Sequence, residues 1–198
     1  RNRARLEEFL DKELGRANYS HVRIYKTPIS TRIIIRAQKP GLVIGRGGEK
    51  INRIIELLKN GFGIDNPVVE AEEIPNIDLD ARIVAKNIAG WLEKGGNPKR
   101  IANTYLNRIM QAGAVGAQIE IKGKLSGERK RLLKLKSGYV KRCGDTADKY
   151  VDVAQAVAKT KPGTIGVRVR IMTEFPEYYY KKRLEKFEVE EPEKIGKE

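Results

Sequence analysis

The sequence has few of the side chains that build covalent cross-links or transition-metal sites. It contains one cysteine, Cys143, and one histidine, His21, among 198 residues. A disulfide framework needs paired cysteines, and a zinc site needs several His or Cys ligands that converge. We therefore expect no disulfide, no metal and no cofactor. A nucleophilic pair of His21 and Cys143 is disfavoured as well, because they lie in different predicted domains without an orienting partner.

Long apolar runs are also missing. No segment approaches the roughly 18 to 20 apolar residues of a membrane span. The first residues, Arg1 to Glu8, are too charged for the apolar core of a signal peptide. We therefore expect no membrane partner and a reducing, cytoplasmic setting.

Acidic residues are scarce relative to basic ones. The chain carries 40 Lys and Arg against 26 Asp and Glu, which is a formal net charge of +14. The electric field of this net positive charge attracts polyanions such as nucleic acids before specific contacts form. The excess lies in two separate stretches, since residues 1–60 carry +8 and residues 120–142 carry +7. This pattern predicts two nucleic-acid surfaces.

Residues 1–75 predict one small domain with the element order α-β-β-α-α-β. Apolar residues at helical spacing define the helices, and β-branched runs define the strands. The first two strands are close enough in sequence to form a hairpin. The predicted elements are a helix over 3–17, strands around 22–24 and over 32–37, a short apolar piece at 42–44, a helix from Ile51 stopped by Gly61 and Gly63, and a strand over 67–74.

Residues 76–173 predict a second domain with the order α-α-β-β-β-β. Asp78 and Asp80 suit a helix N-terminus, and Asn97 followed by Pro98 suits the next one. Trp91 falls in the apolar stripe of the first helix and is predicted to be core. The predicted strands are 117–121, 132–140, 150–158 and 165–171.

Two further features follow in this half of the sequence, namely three aspartates and a C-terminal extension. Asp145, Asp148 and Asp152 fit no ion-binding loop, and we expect them to be solvated or paired with lysines. Residues 174–198 predict a charged extension. Its tyrosines, Tyr178 to Tyr180, are expected to pack on a neighbouring protein.

A glycine cluster lies between the two predicted helical pieces of the first domain. The spacing satisfies neither a Walker loop nor a dinucleotide fingerprint, and Gly123 does not satisfy a Walker loop either. Glycines there let a phosphate approach backbone N–H groups. A Gly-x-x-Gly loop that clamps about four nucleotides by their backbone is typical of KH domains. With the element order, residues 1–75 resemble a type II KH domain. The alternative is a glycine-rich helix cap. The candidate RNA-binding residues are Gly45, Arg46, Gly47, Gly48 and Lys50.

The second basic stretch is dense in unpaired positive charge. Arg129, Lys130 and Arg131 follow one another with only Glu128 beside them. A solvated strand face would account for the alternating Lys134 and Lys136, but not for this run. We therefore expect contacts to RNA phosphates, which position a backbone without reading its sequence. The candidates are Lys122, Lys124, Arg129, Lys130, Arg131 and Lys134.

Three segments carry a more specific resemblance. Leu42–Ile51 (LVIGRGGEKI), Ile121–Arg131 (IKGKLSGERKR) and Pro162–Met172 (PGTIGVRVRIM) resemble the third small-subunit ribosomal protein family, in its archaeal and eukaryotic type. The resemblance covers nearly the whole chain. It implies an α/β (α+β) fold in which a type II KH domain precedes a second α/β domain with a helix pair and a four-stranded sheet.

The same resemblance implies a function without catalysis. The expected role is a structural constituent of the small-subunit head, bound to ribosomal RNA and to neighbouring head proteins. Arg129, Lys130 and Arg131 fall on the segment that faces messenger RNA as it enters the subunit. The family is credited with helping to unwind that RNA, and the lack of a nucleotide-binding loop implies that no motor resides in this chain.

Two other functions remain open. A free KH factor in RNA processing or translational regulation would also carry basic surfaces, but it would bind single strands selectively. A nuclease is less favoured, because its chemistry needs acidic residues that converge on a divalent metal.

Overall fold

A computed structural model of the chain describes residues 2–15, 18–27, 30–62, 64, 66–125, 127 and 129–175. The predicted tyrosine contacts at Tyr178–Tyr180 and most of the extension over 174–198 lie outside the described residues. None of the described helices is both long and apolar enough to span a bilayer.

The first half of the chain forms a three-stranded sheet with helices on one face. Its order is β1-β2-β3, with β1 and β2 antiparallel and β2 and β3 parallel. The parallel pair is possible because two helices return the chain between the strands. The elements are α1 (Asn2–Glu13), β1 (Tyr19–Lys26), β2 (Thr31–Ala37), α2 (Pro40–Ile44), α3 (Glu49–Phe62) and β3 (Pro67–Glu73).

The helices of this half are held to the sheet by periodic apolar residues. Leu6 and Leu10 lie one turn apart on α1 and are buried with Ile33 and Ile35, which alternate along β2. Complete burial of such a side chain contributes about 1.5–3 kcal/mol. The predicted order α-β-β-α-α-β is confirmed. Two helix ends differ from the prediction, since α1 ends at Glu13 rather than Ala17 and α3 continues through Gly61 to Phe62.

The second half packs two helices on one face of an antiparallel sheet with the order β5-β4-β7-β6. Asp80 and Asn97 cap the helices as predicted, each accepting two backbone N–H bonds from the first turn. The elements are α4 (Ala81–Glu93), α5 (Pro98–Gln111), β4 (Gly116–Gly123), β5 (Arg131–Gly138), α6 (Asp145–Tyr150), β6 (Val151–Thr160) and β7 (Gly163–Met172). The predicted fold class is confirmed, with strand ends that differ from the predicted ones by one to two residues.

Two predictions for this half are wrong. Residues 145–150 form the short helix α6, which brief sequence periodicity could not distinguish from a loop. Trp91 is 52% exposed rather than core. It lies about 100° around α4 from the buried Leu92, beyond the face that the sheet covers.

The two halves meet along the N-terminal part of α4. Lys86 donates from Nζ to Asp11 Oδ1 on α1 at 2.8 Å, and Arg82 donates from Nη2 to Asp11 Oδ2 at 2.8 Å. Both cations also lie over the ring of Tyr19, at 4.2 and 4.9 Å from its centroid. Asn18 donates to Asn87 at 2.9 Å. We call these contacts the α4 junction.

The electrostatics of the α4 junction favour the ionised carboxylate. Burial raises the pKa of Asp11, but the hydrogen bond and charge of Lys86, with the charge of Arg82, outweigh it and leave the pKa below its usual value. Burial lowers the pKa of Lys86 more than Asp11 raises it. The pair therefore contributes stability at neutral pH and loses it in acid.

We predict that Asp11→Asn lowers the free energy of unfolding by about 1 kcal/mol at pH 7, a modest value because the carboxylate is half exposed. The folded-state pKa is lowered, so this stabilisation is present above the unfolded pKa of about 3.9 and disappears as pH falls through the folded value. Urea unfolding at several pH values measures the difference between the variant and the parent.

Glu70→Gln provides the matched control, since Glu70 forms an exposed pair with Arg32 within one sheet. An equal loss in both variants at every pH would contradict a special role for the α4 junction.

Candidate nucleic-acid interface

The glycine cluster forms a tight loop between α2 and α3. α2 ends at Ile44, residues Arg46–Gly48 make a single 3-10 turn, and α3 begins at Glu49. Gly45, Gly47 and Gly48 have φ of 77°, 59° and 81°, which residues with a Cβ adopt at a cost. The predicted position of the glycines between two helical pieces is confirmed.

The loop packs closely on the first turn of α3. A Cβ on Gly45 would lie 2.7 Å from Cβ of Lys50, so only glycine fits there. Arg46 and Gly47 are exposed at the tip, whereas Lys50 is half-buried behind them. The loop thus presents a cation and bare backbone to solvent while its base is held by α3.

Exposed apolar side chains accompany this loop. Leu42 is 45% exposed and Ile44 is 42% exposed, both on α2 immediately before the glycines. An apolar surface next to a phosphate-accessible backbone can receive a base while the loop holds its phosphate. The geometry therefore suits a single-stranded nucleic acid.

The basic segment, which we define as Lys122, Lys124 and Arg129–Arg131, lies at the other half of the molecule, where β4 ends and β5 begins. All five side chains are exposed. Lys122, Lys130 and Arg131 line one cavity of about 500 Å³ together with Leu132. The cavity wall contains no carboxylate among the described residues, so its potential is positive.

Lys134 lies beside the basic segment rather than in it. It is on the sheet face that carries no helix, where Gln118 and Glu120 of β4 lie opposite Lys136 and Lys134 of β5. Directly opposite residues on adjacent strands share a face. Lys134 is 3.9 Å from the carboxylate of Glu120.

Sequence reasoning missed two cations on this open face. Arg168 and Arg170 of β7 lie opposite Glu120 and Gln118, on the side away from β5. Nη1 of Arg170 is also 3.9 Å from Glu120, whose side chain is only 12% exposed. The alternation Val-Arg-Val-Arg-Ile over 167–171 contained the signal, because it places both arginines on one face.

The acidic residues and the single histidine do not assemble a metal centre. Among the described residues, no three His, Cys, Asp or Glu side chains converge closely enough to hold an ion. Asp145 pairs with Lys149 at 2.7 Å, and Asp152 accepts from the backbone N–H of Ala81 at 2.9 Å.

A polar cavity of about 470 Å³ at the α4 junction is lined by groups that bond one another. Ser20 Oγ donates to Asp80 and lies 3.0 Å from Nδ1 of His21. Burial lowers the pKa of His21, although the charge of Asp80 acts in the opposite direction. Ser20, His21 and Asp80 thus form a hydrogen-bonded group next to the α4 junction. Cys143 is a free, exposed thiol.

Comparison with known proteins matches both halves of the chain. A family model described as KH domain matches residues 5–86, and one described as Ribosomal protein S3, C-terminal domain, matches residues 88–171. The small ribosomal subunit protein uS3 of Methanocaldococcus jannaschii is 48% identical over 84% of this chain and 80% of its own length. This chain belongs to the uS3 family.

Two other uS3 relatives match a similar share of this chain, but their own chains are longer. The protein of Haloarcula marismortui is 45% identical over 86% of this chain and 56% of its own length. That of Methanobrevibacter smithii is 41% identical over 86% of this chain and 68% of its own length. The resemblance inferred from the three motifs is therefore confirmed. These three relatives are archaeal proteins, in agreement with the predicted archaeal and eukaryotic type.

We predict that Gly47→Asp in this uS3-family chain weakens binding of a single-stranded RNA oligonucleotide by at least about tenfold, because a carboxylate would face the phosphate and a side chain is strained at this φ. Fluorescence anisotropy with a labelled oligonucleotide measures the change.

Gly61→Asp adds the same charge at the far end of α3, where a Cβ has open space. We expect that variant to bind nearly as well as the parent. Equal affinity of both variants and the parent would show that the loop does not contact RNA.

Proposed function

We propose that this uS3-family chain is a structural constituent of the small-subunit head, where it binds ribosomal RNA and helps to form the path by which messenger RNA enters. The observation that carries the proposal is the basic segment. Its exposed cations surround a cavity whose described wall has no carboxylate. The similarity to uS3 proteins supports the ribosomal setting.

The two halves have different tasks in this proposal. Residues 1–75 act as the KH domain and residues 76–173 as the second domain, with an extension over 174–198. The KH loop holds a single-stranded segment, whereas Arg129, Lys130 and Arg131 face the incoming messenger RNA. Lys134, Arg168 and Arg170 extend the positive surface along the open sheet face.

The proposed mechanism is electrostatic and passive. Lysine and arginine contacts to phosphates release counterions and position a strand without selecting its sequence. Fixed charges can hold strands apart once translocation, driven elsewhere in the ribosome, has pulled them open. The proposal assigns no bond-breaking step to any residue of this chain.

The outer face of the KH sheet suits a neighbouring protein better than RNA. Arg32 and Arg36 on β2 are paired with Glu70 and Glu72 at 3.3 and 3.0 Å. Tyr25 and Val68 flank Arg32 on the adjacent strands and are 48% and 42% exposed. A face on which two arginines are paired with glutamates and apolar groups are exposed favours docking of a neighbouring head protein.

We predict that the triple variant Arg129→Ala, Lys130→Ala, Arg131→Ala flattens the salt dependence of RNA binding. Loss of three single-strand phosphate contacts lowers the slope of log K against log salt by about 2, since each contributes about 0.7. Filter binding at five salt concentrations measures the slope.

The matched control removes three charges from scattered positions, with Lys26→Ala, Lys59→Ala and Lys149→Ala. We expect it to change the slope by much less. An unchanged slope in the basic-segment variant would remove this segment from the proposed interface.

The alternative, a free KH factor, differs in where the protein is found. We expect the chain to co-sediment with small subunits through a sucrose gradient and to remain bound after a high-salt wash. If most of it stayed near the top of the gradient, the free factor would become the better account.

A further inference from the structure

A second basic cavity lies behind the basic segment, on the helix side of the same sheet. It has a volume of about 410 Å³ and lies between the α4–α5 turn, the end of β4 and the β6–β7 turn. The apolar part of the wall consists of Leu92, Leu125 and Ile165. Each of the three bordering segments also contributes one cation, and these are Lys94, Lys124 and Lys161. We call it the lysine cavity. Its volume is within the range of small-ligand sites.

The charge of the lysine cavity is not balanced within the described part of the chain. Lys94, Lys124 and Lys161 are exposed, and none forms an ion pair with a described residue. The single carboxylate in the wall, Glu93, accepts the backbone N–H of Lys159 at 2.9 Å. Three lysines against one carboxylate leave the wall of the cavity with a net positive charge, so an anion in the cavity is stabilised.

The lysine cavity and the cavity of the basic segment are lined by neighbouring residues of the chain. Gly123 and Thr164 line the cavity of the basic segment, and the next residues, Lys124 and Ile165, line the lysine cavity. Along β7, successive residues such as Thr164 and Ile165 point to opposite faces of the sheet. The two cavities therefore lie near the same strand ends.

An exposed aromatic ring lies beside Lys94, one of the cations of the lysine cavity. Trp91, the only tryptophan of the chain, is 52% exposed, and Nζ of Lys94 lies 5.2 Å from its ring centroid. Exposed aromatic rings beside lysines stack bases of single strands without selecting their sequence. Aromatic and cationic groups thus occur together where the strand would pass.

We propose that the lysine cavity binds a nucleotide of the same single-stranded RNA that the basic segment holds, with phosphate at Lys94, Lys124 and Lys161 and a base against Trp91. The inference rests on the proposed RNA binding by the basic segment. The exposed ring of Trp91 beside Lys94 favours RNA over an acidic peptide as the occupant, because a base can stack on the ring while lysines contact the phosphate.

The test uses the full chain, a 12-nucleotide single-stranded RNA and the fluorescence of Trp91. We expect RNA to quench this fluorescence in the parent protein. In the double variant Lys94→Gln, Lys161→Gln, affinity should fall about fivefold and the salt slope by about 1.4, since each lost contact contributes about 0.7. The quenching at saturation should also be lost. Lys26→Gln with Lys59→Gln removes equal charge elsewhere and should retain the quenching.

The outcomes separate this inference from the proposed function. If the basic-segment triple variant loses affinity while the Lys94/Lys161 variant keeps its affinity and quenching, the lysine cavity is not an RNA site and the proposed function stands. If the triple variant keeps its salt slope, the proposed function fails first. Quenching by an acidic peptide such as oligoglutamate, and not by RNA, would assign the cavity to a protein partner and overturn the inference.

Discussion

The hydrogen-bonded contact between α4 and the KH half is the constraint on which the arrangement of the binding surfaces depends. The glycine loop lies in the half of the chain that contains the β1–β3 sheet, and the basic segment lies in the half that contains the β4–β7 sheet. Arg82 and Lys86, one turn apart on α4, both donate to the single carboxylate of Asp11. Hydrogen bonds weaken steeply when their angles change. Contacts of this kind therefore fix the orientation of the glycine loop relative to the basic segment.

Uncompensated positive charge is a property of the surfaces and not of the core. Glu120, the carboxylate of β4, is engaged, since it lies 3.9 Å from both Lys134 and Arg170. Clustered exposed cations destabilise the free chain through mutual repulsion. A polyanion that binds only the folded state removes this repulsion and adds its own binding free energy to stability. Under the proposed function, folding and RNA binding are in this way thermodynamically coupled.

Much of the fold could be predicted from residue periodicity, because helices and strands of one sheet bury apolar residues at regular intervals. The KH order and the caps at Asp80 and Asn97 depend on local sequence, and both were predicted. The position of the glycine loop between α2 and α3 followed from the same local signals.

The features that escaped prediction depend on contacts between distant segments. Trp91 is exposed because it lies about 100° around α4 from the buried Leu92, beyond the face that the sheet covers. The role of Arg168 and Arg170 depends on which strands pair with β4. In the α4 junction, Asp11 bonds Arg82 and Lys86, which lie 71 and 75 positions further along the chain. No local sequence pattern predicts a contact between residues so far apart. The helix α6 was missed because it is too short for its periodicity to be recognised.

The two outer strands of the second sheet are protected unequally. β5 carries Lys134 and Lys136 along its edge, and such charges oppose pairing with another chain. At the opposite edge, β6 exposes Val153 and Val157, which are 50% and 62% exposed. An uncovered edge with exposed valines is a template for intermolecular strand addition. Within the described part of the chain, the sheet is therefore more open to self-association along β6 than along β5, and a partner that covers β6 would remove this tendency.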